Sequence, residues 1–331
     1  MADRSFPPII ATEGYLMAKT ESTYGVDPTC APAVDPLLVY DVALTPNCNI
    51  LAQRYFTAWA GSQVSVVGAA LYDVAFKIPL VGNGLLAGNV VTPSWHSIML
   101  ACQWSAANLG TPTVTYTPIT QQVSGCSLEF IFYAADVDGN AYNLRGFMGQ
   151  TTLVFNSQET IAYIEVAGKA LYTIPVEATG IVAPTYDELT PPDTIGITAT
   201  IDGDDFVLPE FSVVNGTEIA EGKSMSSTAV AGYRYTLARR TTVTGSFKTD
   251  AKRENTGAGE YDWYAARDAG REMAVVLGVI GATGGNRFQL TGAKMCLQGI
   301  KLGADGPVQM YECETCFHWT NGNDEVSLIV T

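Results

Sequence analysis

The sequence predicts a mainly-β chain of two tandem β-sandwich or partly closed barrel domains, each with one flanking α-helix. Three echoes carry this, because order repeated at a fixed spacing is the mark of a duplicated unit. First, Thr57-Ala58-Trp59-Ala60-Gly61 is followed, fifteen residues after its glycine, by Phe76-Lys77; Thr228-Ala229-Val230-Ala231-Gly232 is followed at the same spacing by Phe247-Lys248. Val64 and Val66 match Tyr235 and Leu237 at that offset. Second, a tryptophan opens a predicted helix after each long strand, Trp95 in the first half and Trp263 in the second. Third, Gly139-Asn140-Ala141-Tyr142-Asn143-Leu144-Arg145-Gly146 lines up with Gly285-Asn286-Arg287-Phe288-Gln289-Leu290-Thr291-Gly292. One residue of slippage later, Tyr163-Ile164-Glu165-Val166 meets Met310-Tyr311-Glu312-Cys313.

In chain order, residues 1–34 mix Pro, Gly, Thr and acids and read as an N-terminal arm with little structure. Leu37 to Leu44 reads as a strand stopped by Thr45-Pro46-Asn47, then Cys48 to Ser62 loses its period and reads as a long loop. Gln63 to Pro79 alternates as a long strand. Thr92-Pro93-Ser94-Trp95 starts a helix carrying Ile98, Leu100 and Cys102. Val114–Ile119, Ser127–Ala134 and Tyr142–Arg145 read as strands, with a turn at Asp136-Val137-Asp138-Gly139-Asn140. Gly149–Phe155 and Thr160–Ile174 close the first domain, 35–177. Residues 178–205 are rich in Pro and acids and read as a linker, and 206–331 as the second domain. There Thr217–Gly232 repeats the long loop, Tyr233–Lys248 the long strand and Glu260–Arg267 the helix. The first domain carries extra residues between its helix and its final hairpin, enough for one more strand or a surface loop.

At 331 residues the chain suits two domains of ordinary size. Hydrophobic residues are 47% and charged residues 15%, so each half can bury a core and much surface is left uncharged. The net charge of −15 leaves too few cations to hold a phosphate backbone, which argues against tight nucleic-acid binding. Met1 to Pro8 lacks the apolar centre of a signal peptide, and no run reaches the roughly 18 apolar residues of a membrane span. The seven cysteines, Cys30, Cys48, Cys102, Cys126, Cys296, Cys313 and Cys316, are odd in number and scattered. They read as reduced thiols of a protein made in a cytoplasm.

Candidate chemistry is thin. Cys313-Glu314-Thr315-Cys316 has CxxC spacing with His318 beyond it, but no second ligand pair lies near, and on a strand residues three apart face opposite ways. His96 and His318 are the only histidines, and neither sits in a nucleophile signature beside Cys102 or Cys316. Asp202-Gly203-Asp204-Asp205 and Asp136-Val137-Asp138-Gly139-Asn140 lack the closing glutamate of a calcium loop. Arg239-Arg240 and Lys252-Arg253 read as salt-bridge partners or solvated surface. The chain is therefore read as a non-enzyme with no cofactor and no metal.

The opening Leu16-Met17-Ala18-Lys19-Thr20-Glu21-Ser22-Thr23-Tyr24-Gly25-Val26-Asp27-Pro28 has the form K-x-E-x-x-Y-G-x-D. With Leu37–Asp41, the strand to Phe76, Gly82–Gly88, Pro93-Ser94-Trp95, Leu100-Ala101-Cys102 and Leu144-Arg145-Gly146, it resembles the tail tube proteins (major tail proteins) of long-tailed bacteriophages. The order and spacing of these pieces carry the likeness, which thins in the second half. It implies tail-tube-type sandwiches that join edge to edge into rings, stacked into a virion tube that conducts DNA without binding it specifically. Two tandem copies imply trimers with pseudo-sixfold symmetry, and the partners implied are the chain itself, tail tip or baseplate, tape measure and tail terminator proteins. The two long loops are expected to make ring-to-ring contacts through Gln53, Arg54, Tyr55, Phe56, Trp59, Lys223, Met225 and Val230. The long strands are expected to line the channel with Gln63, Ser65, Arg234 and Thr236, and Trp95 and Trp263 to anchor the helices in the core. The alternative is an adhesin- or lectin-like β-sandwich binding module, since fold alone decides no function.

Overall fold

The computed structural model describes residues 9–52, 65–120, 125–134, 138–157, 159–186, 189–225, 233–251 and 261–331. In chain order the first half runs β1 (Ile9–Thr20), β2 (Pro36–Leu37), β3 (Tyr40–Ala52), β4 (Ser65–Pro79), β5 (Leu85–Leu86), β6 (Asn89–Val90), α1 (His96–Ala101), β7 (Trp104–Ala107), β8 (Val114–Pro118), β9 (Cys126–Ala134), β10 (Gly139–Asn156), β11 (Ala162–Leu171) and β12 (Val176–Ala178). The second runs β13 (Ala199–Ile201), β14 (Asp204–Phe206), β15 (Glu210–Val214), β16 (Thr217–Lys223), β17 (Tyr233–Arg240), β18 (Thr244–Asp250), α2 (Trp263–Asp268), β19 (Met273–Ile280), β20 (Phe288–Asp305), β21 (Val308–Phe317) and β22 (Ser327–Val330). The chain is mainly β, with large antiparallel sheets and two short helices among the described residues.

One run of strands organises the molecule. In the first half β3 pairs with β4, β4 with β11 and β11 with β10. In the second, β15 pairs with β18, β18 with β21 and β21 with β20. The two runs are joined because β10 also pairs with β15, from Thr152 opposite Val214 to Asn156 opposite Glu210. Phe76 and Lys77 lie opposite Val166 and Glu165, and Phe247 and Lys248 lie opposite Cys313 and Glu312. Alternation along these strands sends Tyr72, Val74, Phe76 and Ile78 into the core and Asp73 and Lys77 to the other face.

The two longest strands each serve two sheets. β10 pairs with β9 as far as Phe147 and with β11 from Arg145 onward, and both registers shift between Leu144 and Met148. β20 pairs with β19 up to Met295 and continues with β21. The turnover in β10 falls at Gly146, whose φ of +61° suits a residue with no Cβ. Between the sheets lies one continuous core that takes residues from both halves, among them Trp95, Trp104, Phe147, Phe211, Phe247 and Phe288.

Each helix is only six residues long and therefore depends on packing more than on propensity. Trp95 precedes α1, is fully buried, and donates its indole N–H to the Val81 carbonyl at 2.8 Å. Trp263 opens α2 and is also buried, while Asp262 caps that helix by accepting from the Ala265 amide.

Several expectations are corrected. The arm contains β1, which pairs with β9 and, at Leu16 and Met17, with β2; its apolar run is continuous because it is covered on more than one side. β3 does not stop at Thr45-Pro46-Asn47 but continues to Ala52, since a proline is tolerated on a strand paired on one side only. Thr217–Lys223 is a strand paired with β17, not loop. The second long strand is broken into β17 and β18 at Thr241–Val243. The end of the expected linker is also ordered, with β13 pairing both β14 and β19. Between α1 and β9 lies a hairpin, β7–β8, whose β8 pairs with the C-terminal β22.

Replacing Trp95 with Ala removes a filled indole and its hydrogen bond, so a loss of about 3–5 kcal/mol is expected from chemical denaturation. A loss under about 1 kcal/mol would contradict the placement of this ring in the core.

Candidate assembly surface

The K-x-E-x-x-Y-G-x-D segment folds around the point where β10 changes partners. Glu21 is 1% exposed. Its Oε1 accepts from the Gly146 amide and the Ser127 hydroxyl, both at 2.7 Å, and its Oε2 from the Gly25 amide at 2.6 Å. A buried carboxylate is costly unless such donors surround it, and here they do. Tyr24 places its hydroxyl 3.1 Å from the Gly146 carbonyl and 2.6 Å from both the Thr236 hydroxyl and the Thr236 amide, which donates to it. Burial pushes the Tyr24 phenol above its ordinary pKa. Lys19 pairs with Asp35 at 3.1 Å, and Asp27 lies 3.8 Å from Arg145. A Cβ on Gly146 would meet the Tyr24 ring at 2.6 Å. The segment is thus a latch: it fixes the bend of β10 and, through Thr236, ties β17 of the second half to the first.

That latch sets the run of strands and so determines its two ends. Among the described residues β3 is paired with β4 alone, and Asp41, Val42, Ala43 and Thr45 along it are exposed. At the far end, β20 from Gly299 to Asp305 is paired, among the described residues, with β21 alone. Leu302 there is 60% exposed although its strand partner Tyr311 is buried. Unpaired N–H and C=O groups on such edges are templates for another strand.

The face of the run opposite the core is lined with paired charges. Lys77 reaches Asp41 at 3.2 Å and Glu165 at 3.8 Å, and Lys248 reaches Glu210 at 2.7 Å. Lys169 binds Glu221 at 2.5 Å and Asp73 at 3.7 Å, and Lys301 binds Glu314. The lysines are thereby largely neutralised by neighbouring carboxylates.

Of the expected contact residues, Gln53, Arg54, Tyr55, Phe56, Trp59, Gln63 and Val230 lie outside the described residues, and Ser65 and Arg234 are placed in β4 and β17 by backbone only. Met225 is fully exposed, and Lys223 sits 5.6 Å over the Tyr233 ring. Thr236 departs from its expected channel-facing role within this chain. It is fully buried, with its hydroxyl donating to the Gly146 carbonyl at 2.8 Å. Trp95 and Trp263 lie in the core.

The candidate chemistry resolves into packing contacts. Cys313 points into the core, while Cys316 lies on the other face opposite Cys296, with both sulfurs near His318 at 3.5 and 3.8 Å. The cross-strand cysteine pair needs the register of β20 on β21 and has no signature in sequence spacing. His96 contacts Tyr116, not Cys102, and burial lowers its pKa. Burial raises the Cys313 thiol to about 12, far from a reactive thiolate. Among the described residues no cluster of His, Cys, Asp and Glu has the geometry to hold a metal, and no helix is long and apolar enough to cross a membrane. A scan against protein-family models finds no match, and neither does a search of curated proteins.

Glu21→Gln keeps the shape of the latch but turns one acceptor oxygen into a donor facing N–H groups. A loss of about 2 kcal/mol is expected in denaturant titration, and Gly146→Ala should be at least as damaging. A Glu21→Gln protein as stable as the parent would show that the buried carboxylate does not hold the bend.

Proposed function

We propose that this chain is a ring-forming structural protein of the tail-tube type, in which two copies of one ring-forming unit stand in series, and that rings of three chains stack into a tube that conducts DNA. The observation that carries this reading is the junction of β10 with β15. The strand order β3-β4-β11-β10 recurs as β15-β18-β21-β20, and residues equated by the sequence echo hold equivalent places in the pairing. This correspondence supports a duplication. On that basis β15 is the counterpart of β3 and β20 the counterpart of β10. The internal junction then serves as the template for joining one chain to the next, β20 to β3.

The register follows from the template. Leu153 lies opposite Val213 at the internal junction, and both are buried. Their counterparts are Leu302, opposite Tyr311 as Leu153 is opposite Ile164, and Leu44, opposite Val74 as Val213 is opposite Gly245. Pairing Leu302 with Leu44 extends the core across the subunit boundary and covers an exposed leucine. A head-to-tail contact of this kind makes a ring when its rotation closes. The part of that charge-paired outer face not covered by β16–β17, around Lys77, Glu165, Glu210 and Lys248, is the wall assigned to the channel. With a net charge of −15 on the chain, such a wall has little to bind a phosphate backbone.

A Leu44→Cys, Leu302→Cys double variant tests the reading under mild oxidation. The expected result is disulfide-linked oligomers on non-reducing gels, beyond those given by either single variant. A double variant that gives only monomer, in a protein that elutes as a monomer at high concentration, would overturn the ring assignment.

A further inference from the structure

The internal junction has a second component besides the paired edges. Beyond β15 the hairpin β16–β17 leaves its own half and lies across β10 and β11 of the other. Tyr233 is buried against Leu71 and Leu171, and Glu221 binds Lys169. The Ala238 amide lies 3.3 Å from the Met148 sulfur, and Ile219 lines one groove with Ala167, Gly168 and Lys169. The hairpin thus clamps the edge pairing in place.

The first half has a corresponding hairpin, β3–β4, at the end of the run. The distal part of β3 pairs with the start of β4, Ile50 opposite Val67, as Ile219 is opposite Ala238. Val67 precedes Phe76 by nine residues, as Ala238 precedes Phe247. Ile50 is therefore the counterpart of Ile219, yet it is 63% exposed. The surface that would receive it follows from β21. Counting from the matched Val166 and Cys313, the places of Ala167, Lys169 and Leu171 are held by Glu314, Cys316 and His318. Leu171 is buried under the internal hairpin, whereas His318 is exposed.

We infer that the β3–β4 hairpin of one chain clamps the β20–β21 face of the next, seating Ile50 against the segment from Glu314 to His318. The occupant is a second copy of this chain. The hairpin and the receiving face belong to opposite ends of an eight-strand run, about 30 Å apart at the usual strand spacing, so a chain does not satisfy its own face. Ile50, exposed in the single chain, is covered by this contact. The receiving face also bears the Lys301–Glu314 and Lys294–Glu272 pairs, whose charges disfavour a purely apolar stranger and suit the mixed hairpin. This clamp rests on the ring reading but makes a separate demand, since edges can pair without it.

The test uses the full chain carrying the photo-cross-linker p-benzoylphenylalanine at position 50. Irradiation of the assembled protein is expected to join chains, with mass spectrometry placing the link in the peptide containing Glu314 to His318. Rings that give no link, or whose links fall elsewhere, would overturn the clamp and leave the ring reading standing. A chain that stays monomeric would overturn both.

Discussion

A β-strand has two hydrogen-bonding edges, and β10 is the strand on which this molecule depends because it spends both, twice over. Its first part is held by β9 and β12, and its last part by β11 and β15. The pairing with β15 joins the two halves into one continuous surface, and it requires the strand to turn between sheets at Gly146. Glu21 and Tyr24 hold that turn. Without the bend, β10 would remain in the β9 sheet, and the edge that receives β15 would point elsewhere.

The same constraint leaves an imbalance. The edges inside the chain are satisfied by neighbours, but a linear run has two ends, and β3 and the last part of β20 are those ends. Soluble proteins usually blunt such edges with charge, proline or a covering loop. Here Pro46 and the Lys301–Glu314 pair do a little of this, yet Leu302 stands exposed in the middle of the edge. An edge left open with a leucine on its core side is the template that the ring proposal uses. The charged face between the two ends is neutralised pair by pair, so it offers no dense cationic footing for nucleic acid.

How much was legible in the sequence follows from what each element needs. Phe76-Lys77 and Phe247-Lys248 were readable as matched anchors because alternation with period two is local. The short helices were readable from their tryptophans. Strand β16 reads as loop, because Thr217–Lys223 has little apolar character of its own and its hairpin with β17 is held by a surface distant in sequence. β1 reads as arm for a related reason: β9, the strand it pairs along most of its length, lies far along the chain. The K-x-E-x-x-Y-G-x-D spacing was visible as a pattern, but its physical purpose was not. Only the fold brings Glu21 to Gly146 and Tyr24 to Thr236, across separations that no window of sequence spans.

The central claim is that each chain supplies two units in series to a closed ring. Electron microscopy of the purified chain, with the rotational symmetry of its end-on views and the mass of a single ring measured together, tests it most directly. Two units per chain require rings of three chains whose end-on projection shows near-sixfold features. Rings of six chains, or a monodisperse monomer at the highest attainable concentration, would contradict it.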